Sequence, residues 1–482
     1  MRAWVARLAA LVVLGGAQPV GAQAPSGNPV TQPPVLGPVK PLTLPTVLER
    51  RLSNGLRILI VEQHELPVVD LVLVVRTGSE SDPAGKEGLA TLVGTLLDEG
   101  TTGRSSLQIA EQISFLGISL ATTAGLDASR VTLHAPVAQL DSALALMADV
   151  TLRPSFPGNE VERLRQERLT QLLQIRDRGP AMADQAYMAI LYGPDHPYGH
   201  ATFGNEASVA SITRDDVLRF YQTYYRPNDA ALVVVGDVRP DDIQRRLERS
   251  LGGWQAAPVP EIGFPPAPVT RAPTVYLIDT PRAAQSSVRM GTIGVARSTQ
   301  DFFPIQVMNT VLGGAFTSRL NQNLRETRGY TYGATTGFDM RKSPGPFTAS
   351  AEIVTEKSDS ALIEFIKELR GIREPVPQAE LDKAKSYVQL SLPAAMETTF
   401  GIAARLAAIA LYDLPLDFLN TYSQRISAVT QADVQRVARQ YVRPDEMNVV
   451  VVGDLAEIEA GIRALGVGSV VVADPTGRPL VR

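Results

Sequence analysis

Side chains able to do catalytic chemistry are sparse in this chain. Its four histidines are His64, His134, His196 and His200. Only the last two are close, in "DHPYGH", at the i, i+4 spacing that lets two imidazoles share a metal on one helix face. Pro197 and Gly199 stand between them and forbid a regular helix, so a loop lying over the domain is expected. The absence of cysteine excludes disulfides, thiolate zinc sites and a Cys nucleophile. No G-x-S-x-G elbow is present, and no histidine has an obvious partner for a Ser-His-Asp relay. "VLGGAFTSR" (311–319) puts two glycines before a helix start but lacks the spacing and the lysine of a phosphate cradle.

The elements around these residues follow from periodicity. In "GLATLVGTLLDEGT" (88–101), Leu89, Leu92, Val93, Leu96 and Leu97 fall on one helical face, so a helix over 85–98 is expected with that face to a core. The opposite face carries only Thr91, Gly94, Thr95 and Asp98, types that helix propensity does not favour. Ser53-Asn54-Gly55 reads as a hairpin turn between two short β-prone runs, and "LVLVVR" (71–76) as a further strand. Helical patterns follow near 106–116 and at 137–151, 159–177 and 180–192. The 159–178 stretch, "NEVERLRQERLTQLLQIRDR", is charged and amphipathic, a helix with one solvated side.

At 482 residues the chain is too long for one core, and 44% hydrophobic with 20% charged residues describes a globular protein. A net charge of −4 and the lack of a Lys/Arg-rich run argue against nucleic-acid binding. Arg2 and Arg7, the apolar "LAALVVLGGA" and the small residues of "VGAQA" have the layout of a secretory signal peptide, taken as 1–22. Its apolar run is too short to span a bilayer, so no membrane insertion is expected. Export is therefore expected, to the periplasm or the extracellular medium. Residues 23–47 are proline-dense and read as an extended leader.

A repeat organises the rest. "TRDDVLRFYQTYYRPNDAALVVVGD" (213–237) returns as "TQADVQRVARQYVRPDEMNVVVVGD" (430–454) without a gap. Each copy opens on a Thr N-cap, ends its helix at Arg-Pro and closes on an apolar strand before Gly-Asp. Two related α/β halves are expected, 48–257 and 270–472, with the proline-rich linker 258–269 between them.

With the repeat in place, "NGLRILI", "VVRTGSESDPAGKEGLA", "HPYGHATFGNEASVASITRDDVLRFYQTYYRPNDAALVVVGDV" and "GGAFTSRLNQNLRETRGYTYGATTGF" resemble, in order, the pitrilysin/insulinase-type zinc peptidases. The resemblance covers about residues 48–460 and is most specific at "SRLNQNLRETRGYTYG". It implies an α+β fold, a tandem repeat of two homologous domains, each a mixed sheet flanked by helices. It also implies an inverted zinc motif, His-x-x-Glu-His, on the helix after "GLA", where two imidazoles bind the metal and the Glu takes a proton from its water. Here those positions are Thr91, Gly94 and Thr95. The third ligand, a Glu on a later helix, corresponds to Gln174, while Glu167 matches a second acidic position that is kept. No metal is expected in this chain.

The second half keeps what the first has lost. The resemblance assigns substrate binding to an Arg and a Tyr seven residues on, matched by Arg325 in "NLRETRG" and Tyr332 in "YTYG". Arginine can hold a peptide carbonyl or carboxylate by two bonds, and a phenol can donate to a developing oxyanion. Thr327 stands where many relatives have Lys, which leaves this expectation unchanged. What the resemblance implies is the non-catalytic subunit of a heterodimeric zinc peptidase, with zinc in a homologous partner and an unfolded peptide as substrate. The alternative is an inactive peptide-binding or scaffold protein of the same fold.

Overall fold

The computed structural model describes residues 46–175, 177–270 and 272–480. The expected signal peptide and nearly all of the leader lie outside the described residues.

The described chain builds two six-stranded mixed sheets, each flanked by helices. The first is made of β1 (Leu48–Arg51), β2 (Arg57–Glu62), β3 (Val68–Val75), β4 (Ser119–Ala124), β5 (Ser129–Pro136) and β6 (Ala230–Gly236). Their order across the sheet is β1-β2-β6-β3-β5-β4. The second is made of β7 (Thr274–Asp279), β8 (Gln285–Ile293), β9 (Thr331–Phe338), β10 (Pro346–Val354), β11 (Asn448–Gly453) and β12 (Ser469–Ala473). Their order is β12-β7-β11-β8-β10-β9.

The sequence repeat is a repeat of register. β2 runs parallel to β6 with Arg57 opposite Ala231, and β7 runs parallel to β11 with Thr274 opposite Asn448, the matching positions. Asp70 faces Val235 in the first sheet as Ser287 faces Val452 in the second. Thr213 and Thr430 cap the helices Arg214–Tyr224 and Gln431–Tyr441, each with a reciprocal bond to an Asp three residues on. The sixth strand breaks the symmetry. β1 enters antiparallel to β2, whereas β12 returns from the far end of the chain parallel to β7.

Unbroken β-branched runs such as "AALVVVG" and "NVVVVG" belong in strands covered on both faces, and β6 and β11 are buried throughout. In the first sheet, Val69, Leu71 and Leu73 point to one core while Val72 and Val74 point to the other. The second face is closed by exchange. The helix Thr399–Leu411 of the second half lies on β3 and β6, and the helix Gly179–Tyr192 of the first half lies on β8 and β11. Each half therefore completes the other's core.

Both lent helices are pinned near their starts by a buried charge on the receiving sheet. Asp70 on β3 accepts from the Thr399 hydroxyl. Arg289 on β8 donates to Asp184 and to the Pro180 carbonyl.

Candidate functional site

The helix expected over 85–98 is shorter than its periodicity implies, running Leu89–Leu96. Gly88 precedes it at φ 95°, where a side chain would be strained and would meet the Phe203 carbonyl at 2.6 Å. The Asp82 carboxylate accepts from the Gly88 and Ala90 amides, both at 2.7 Å, and so satisfies donors that a longer helix would have bonded internally. Burial pushes Asp82 up to about 8, against those two amides, which favour the charged form. Leu89, Leu92, Val93, Leu96 and Leu97 enter the core as their spacing requires.

The opposite face is closed. The Thr91 hydroxyl lies 3.0 Å from the Gly88 carbonyl and 2.8 Å from the Thr202 carbonyl, and it accepts from Arg168 Nη1 at 2.9 Å. Thr95 donates back to the Thr91 carbonyl at 2.9 Å. Strand β4 presses against Gly94 so closely that a Cβ there would stand 2.8 Å from the Ala124 amide nitrogen. Asp98 accepts from Thr122 on β4 at 3.0 Å. The small residues are thus the shape that lets β4 and the 202–204 loop pack on the helix.

Gln174 is exposed near the end of the helix Gly158–Ile175, and no hydrogen bond links its side chain to Thr91 or Thr95 among the described residues. Glu167 is also exposed and pairs with Arg163 at 3.5 Å. The residue this helix delivers to Thr91 is Arg168, buried on the stripe formed by Val161, Leu164 and Leu172. An arginine on an apolar stripe was the sequence signal for it. With hydroxyls, a glycine and a guanidinium where imidazoles and carboxylates would be needed, the positions do not fit a zinc ion.

The histidine pair does not form a metal site either. His196 is buried and its Nδ1 accepts from the Tyr198 amide at 3.0 Å, capping a turn over Pro197–Gly199. Burial lowers its pKa. Its ring packs beside Tyr192 and Tyr198. Among the described residues no three His, Asp or Glu side chains gather as a metal-holding group.

The second half presents its candidates outward. Tyr332 lies on β9, the edge strand of its sheet, and is 89% exposed. Arg325 lies on the π-helical segment Asn321–Thr327, with its guanidinium over the Phe316 ring at 4.2 Å and Glu326 at 3.3 Å. It is Nη1 that faces Glu326, as an ion pair without hydrogen-bond alignment. Asn321 ties this segment to the strand, donating to the Ala334 carbonyl at 2.8 Å and accepting from the Ala334 amide at 3.0 Å. Asn309 repeats the device at Thr336, donating to its carbonyl at 3.0 Å and accepting from its hydroxyl at 2.8 Å. The free edge of β9 is thus capped at 334 and 336, with Arg325 and Tyr332 held on elements that Asn321 joins.

Comparison with known proteins identifies the family and the fold. A model of the insulinase family (peptidase family M16) matches residues 57–195, and one of the M16 peptidase inactive domain matches residues 211–388. An uncharacterized zinc protease of Mycobacterium bovis is 27% identical over 399 residues, covering 80% of this chain and 89% of that protein. The non-peptidase homolog YmxG of Helicobacter pylori is 24% identical over 400 residues, covering 82% and 90%. The crystal structure of a peptidase M16 inactive domain from Pseudomonas fluorescens superimposes with a TM-score of 0.80 at 27% identity, covering 85% of this chain and 98% of that one. The fold is that of an M16-type peptidase, and on its Leu89–Leu96 helix Thr91, Gly94 and Thr95 offer no imidazole or carboxylate. The chain belongs to the M16 peptidase family.

Proposed function

We propose that this chain is the exported, non-catalytic subunit of a heterodimeric zinc peptidase, binding an unfolded peptide and lending Arg325 and Tyr332 to a homologous partner that holds the zinc. One contrast supports this most strongly. The Leu89–Leu96 helix packs its small-residue face on β4, with Arg168 on Thr91, while Tyr332 is displayed in water on an edge strand tied through Asn321 to the segment that carries Arg325. A phenol of that exposure is open to a ligand or a partner. In the assembled pair Arg325 binds a carbonyl or carboxylate of the peptide, and the Tyr332 phenol donates to the carbonyl oxygen under attack.

The test is co-expression with a homologue carrying an intact His-x-x-Glu-His motif. The expected pair holds about one zinc and cleaves peptides, whereas the lone chain does neither. Arg325→Ala and Tyr332→Phe should each lower kcat/KM of the pair about 10²-fold while the pair still co-purifies. Turnover unchanged in both variants would overturn the contributing-subunit reading. Peptide binding by the lone chain, with no partner recruited, would make it a peptide-holding scaffold instead.

A further inference from the structure

Among the described residues three arginines are buried: Arg168, Arg289 and Arg341. Two are neutralised. Arg289 meets Asp184 and Glu352, and Arg341 forks onto Asp339 through Nε and Nη2. Arg168 is not. It is 7% exposed, its Nη1 donates to Thr91, and among the described residues no carboxylate lies within 4.0 Å of it.

The carboxylates that influence it electrostatically are Glu167 and Asp82. Glu167 points to water and pairs with Arg163. Asp82 has both oxygens on backbone amides rather than on the guanidinium. A desolvated cation without a counter-ion is costly, and such groups persist where an anion completes them. Burial lowers the Arg168 pKa, as expected for a cation left short of charge.

The surroundings fit an incoming carboxylate. Nη1 is committed to Thr91, and among the described residues no hydrogen bond is made from Nε or Nη2, the planar edge matched to two carboxylate oxygens. The guanidinium lies over the Phe203 ring at 4.5 Å, and that ring is 47% exposed, so it holds the fork in plane at the margin of the site.

We propose that the former metal position has become a carboxylate-binding site, in which Arg168, oriented by Thr91 and Phe203, takes an acidic side chain or the C-terminal carboxylate of a bound peptide. This rests on the reading of the chain as a peptide-binding protein. The experiment measures binding of one labelled decapeptide as free acid or C-terminal amide, and with Glu or Gln at a central position, to the full chain and to Arg168→Gln. The wild type is expected to bind one charged form at least tenfold tighter than its neutral counterpart. Whichever pair discriminates identifies the source of the carboxylate. Arg168→Gln should erase the preference while neutral peptide binds within about twofold of wild type. Arg168→Lys, which keeps the charge but loses the fork, should keep part of it and stands in if the Gln variant does not fold. Equal binding of charged and neutral peptides, or a preference that survives Arg168→Gln, overturns the carboxylate site alone. Failure of every peptide to bind overturns the peptide-binding reading and this site with it.

Discussion

Arg289 of the second half grips Asp184 of the first, Nε to Oδ1 at 2.5 Å, on the helix that the first half lends to the second sheet. Its Nη1 holds Glu352 on the neighbouring strand at 3.0 Å, so one guanidinium joins sheet and borrowed helix. Asp70 and Thr399 make the reciprocal tie. These contacts tie each half to the helix that covers its sheet.

It follows that neither 46–257 nor 270–480 should fold alone. Each would expose the sheet face that its borrowed helix covers, which in the first half carries Val72, Val74 and Val233. Expressed separately the halves should aggregate, and co-expressed they should associate. Arg289→Met should lower the stability of the whole chain by about 2 kcal/mol while leaving a single urea transition. Two separated transitions, or a soluble monomeric half, would show that the exchange is not what holds them together.

Restoring the metal motif should not restore the metal. Thr91→His, Gly94→Glu and Thr95→His together place a Cβ 2.8 Å from the Ala124 amide nitrogen and bring an imidazole against the Arg168 guanidinium. Gly94→Ala alone should cost about 1–3 kcal/mol through the forced shift of β4. Metal analysis of the purified triple variant should find no stoichiometric zinc. One zinc per chain would mean that β4 yields readily and that the closed face is only a resting arrangement.

Stability should fall as pH rises through the weakly acidic range. Glu80 is buried with Lys342 Nζ at 2.7 Å, and burial pushes its carboxyl up to about 7 despite that lysine. Between about pH 4.5 and 7 the unfolded chain has released this proton while the folded chain retains it, so unfolding is favoured as pH increases. Above about 7 this contribution levels off, at a loss of roughly 3 kcal/mol. Asp82, pushed up to about 8, extends the same decline. Asp216 acts oppositely: hydrogen bonds from Lys86 and Thr213 outweigh burial and hold it low, so its contribution is lost only in stronger acid. Urea denaturation across pH 4.5–8 should show the decline, and Glu80→Gln should flatten the part below 7. An unchanged slope in that variant would remove Glu80 as its source.

Much of this architecture is written locally. The Thr caps, the Arg-Pro helix ends and the apolar strands of the two repeat copies determine their elements through neighbours a few residues away, and the structure places each at matching register. The hairpin at Ser53–Gly55 forms where its turn residues stand, with Gly55 at φ 90°. That Thr91, Gly94 and Thr95 offer no imidazole or carboxylate needs nothing beyond residue identity. Where periodicity misled, at the start of the Leu89–Leu96 helix, the cause was a side chain outside the pattern, since Asp82 takes the first amides.

What fills the vacated face was not readable in the same way. Thr91 and Arg168 are 77 positions apart, and Asp70 and Thr399 are 329 apart. A side chain's periodicity states which way it points from its own element, not which element will come to face it. That choice was made by tertiary packing: by β4 closing on Gly94, by the Gly158–Ile175 helix turning Arg168 inward, and by two halves that could bury their central strands only by exchanging helices. The sequence by itself therefore determined that Thr91, Gly94 and Thr95 offer no imidazole or carboxylate, and only the folded structure decided that a buried guanidinium, without a carboxylate on it among the described residues, stands against Thr91.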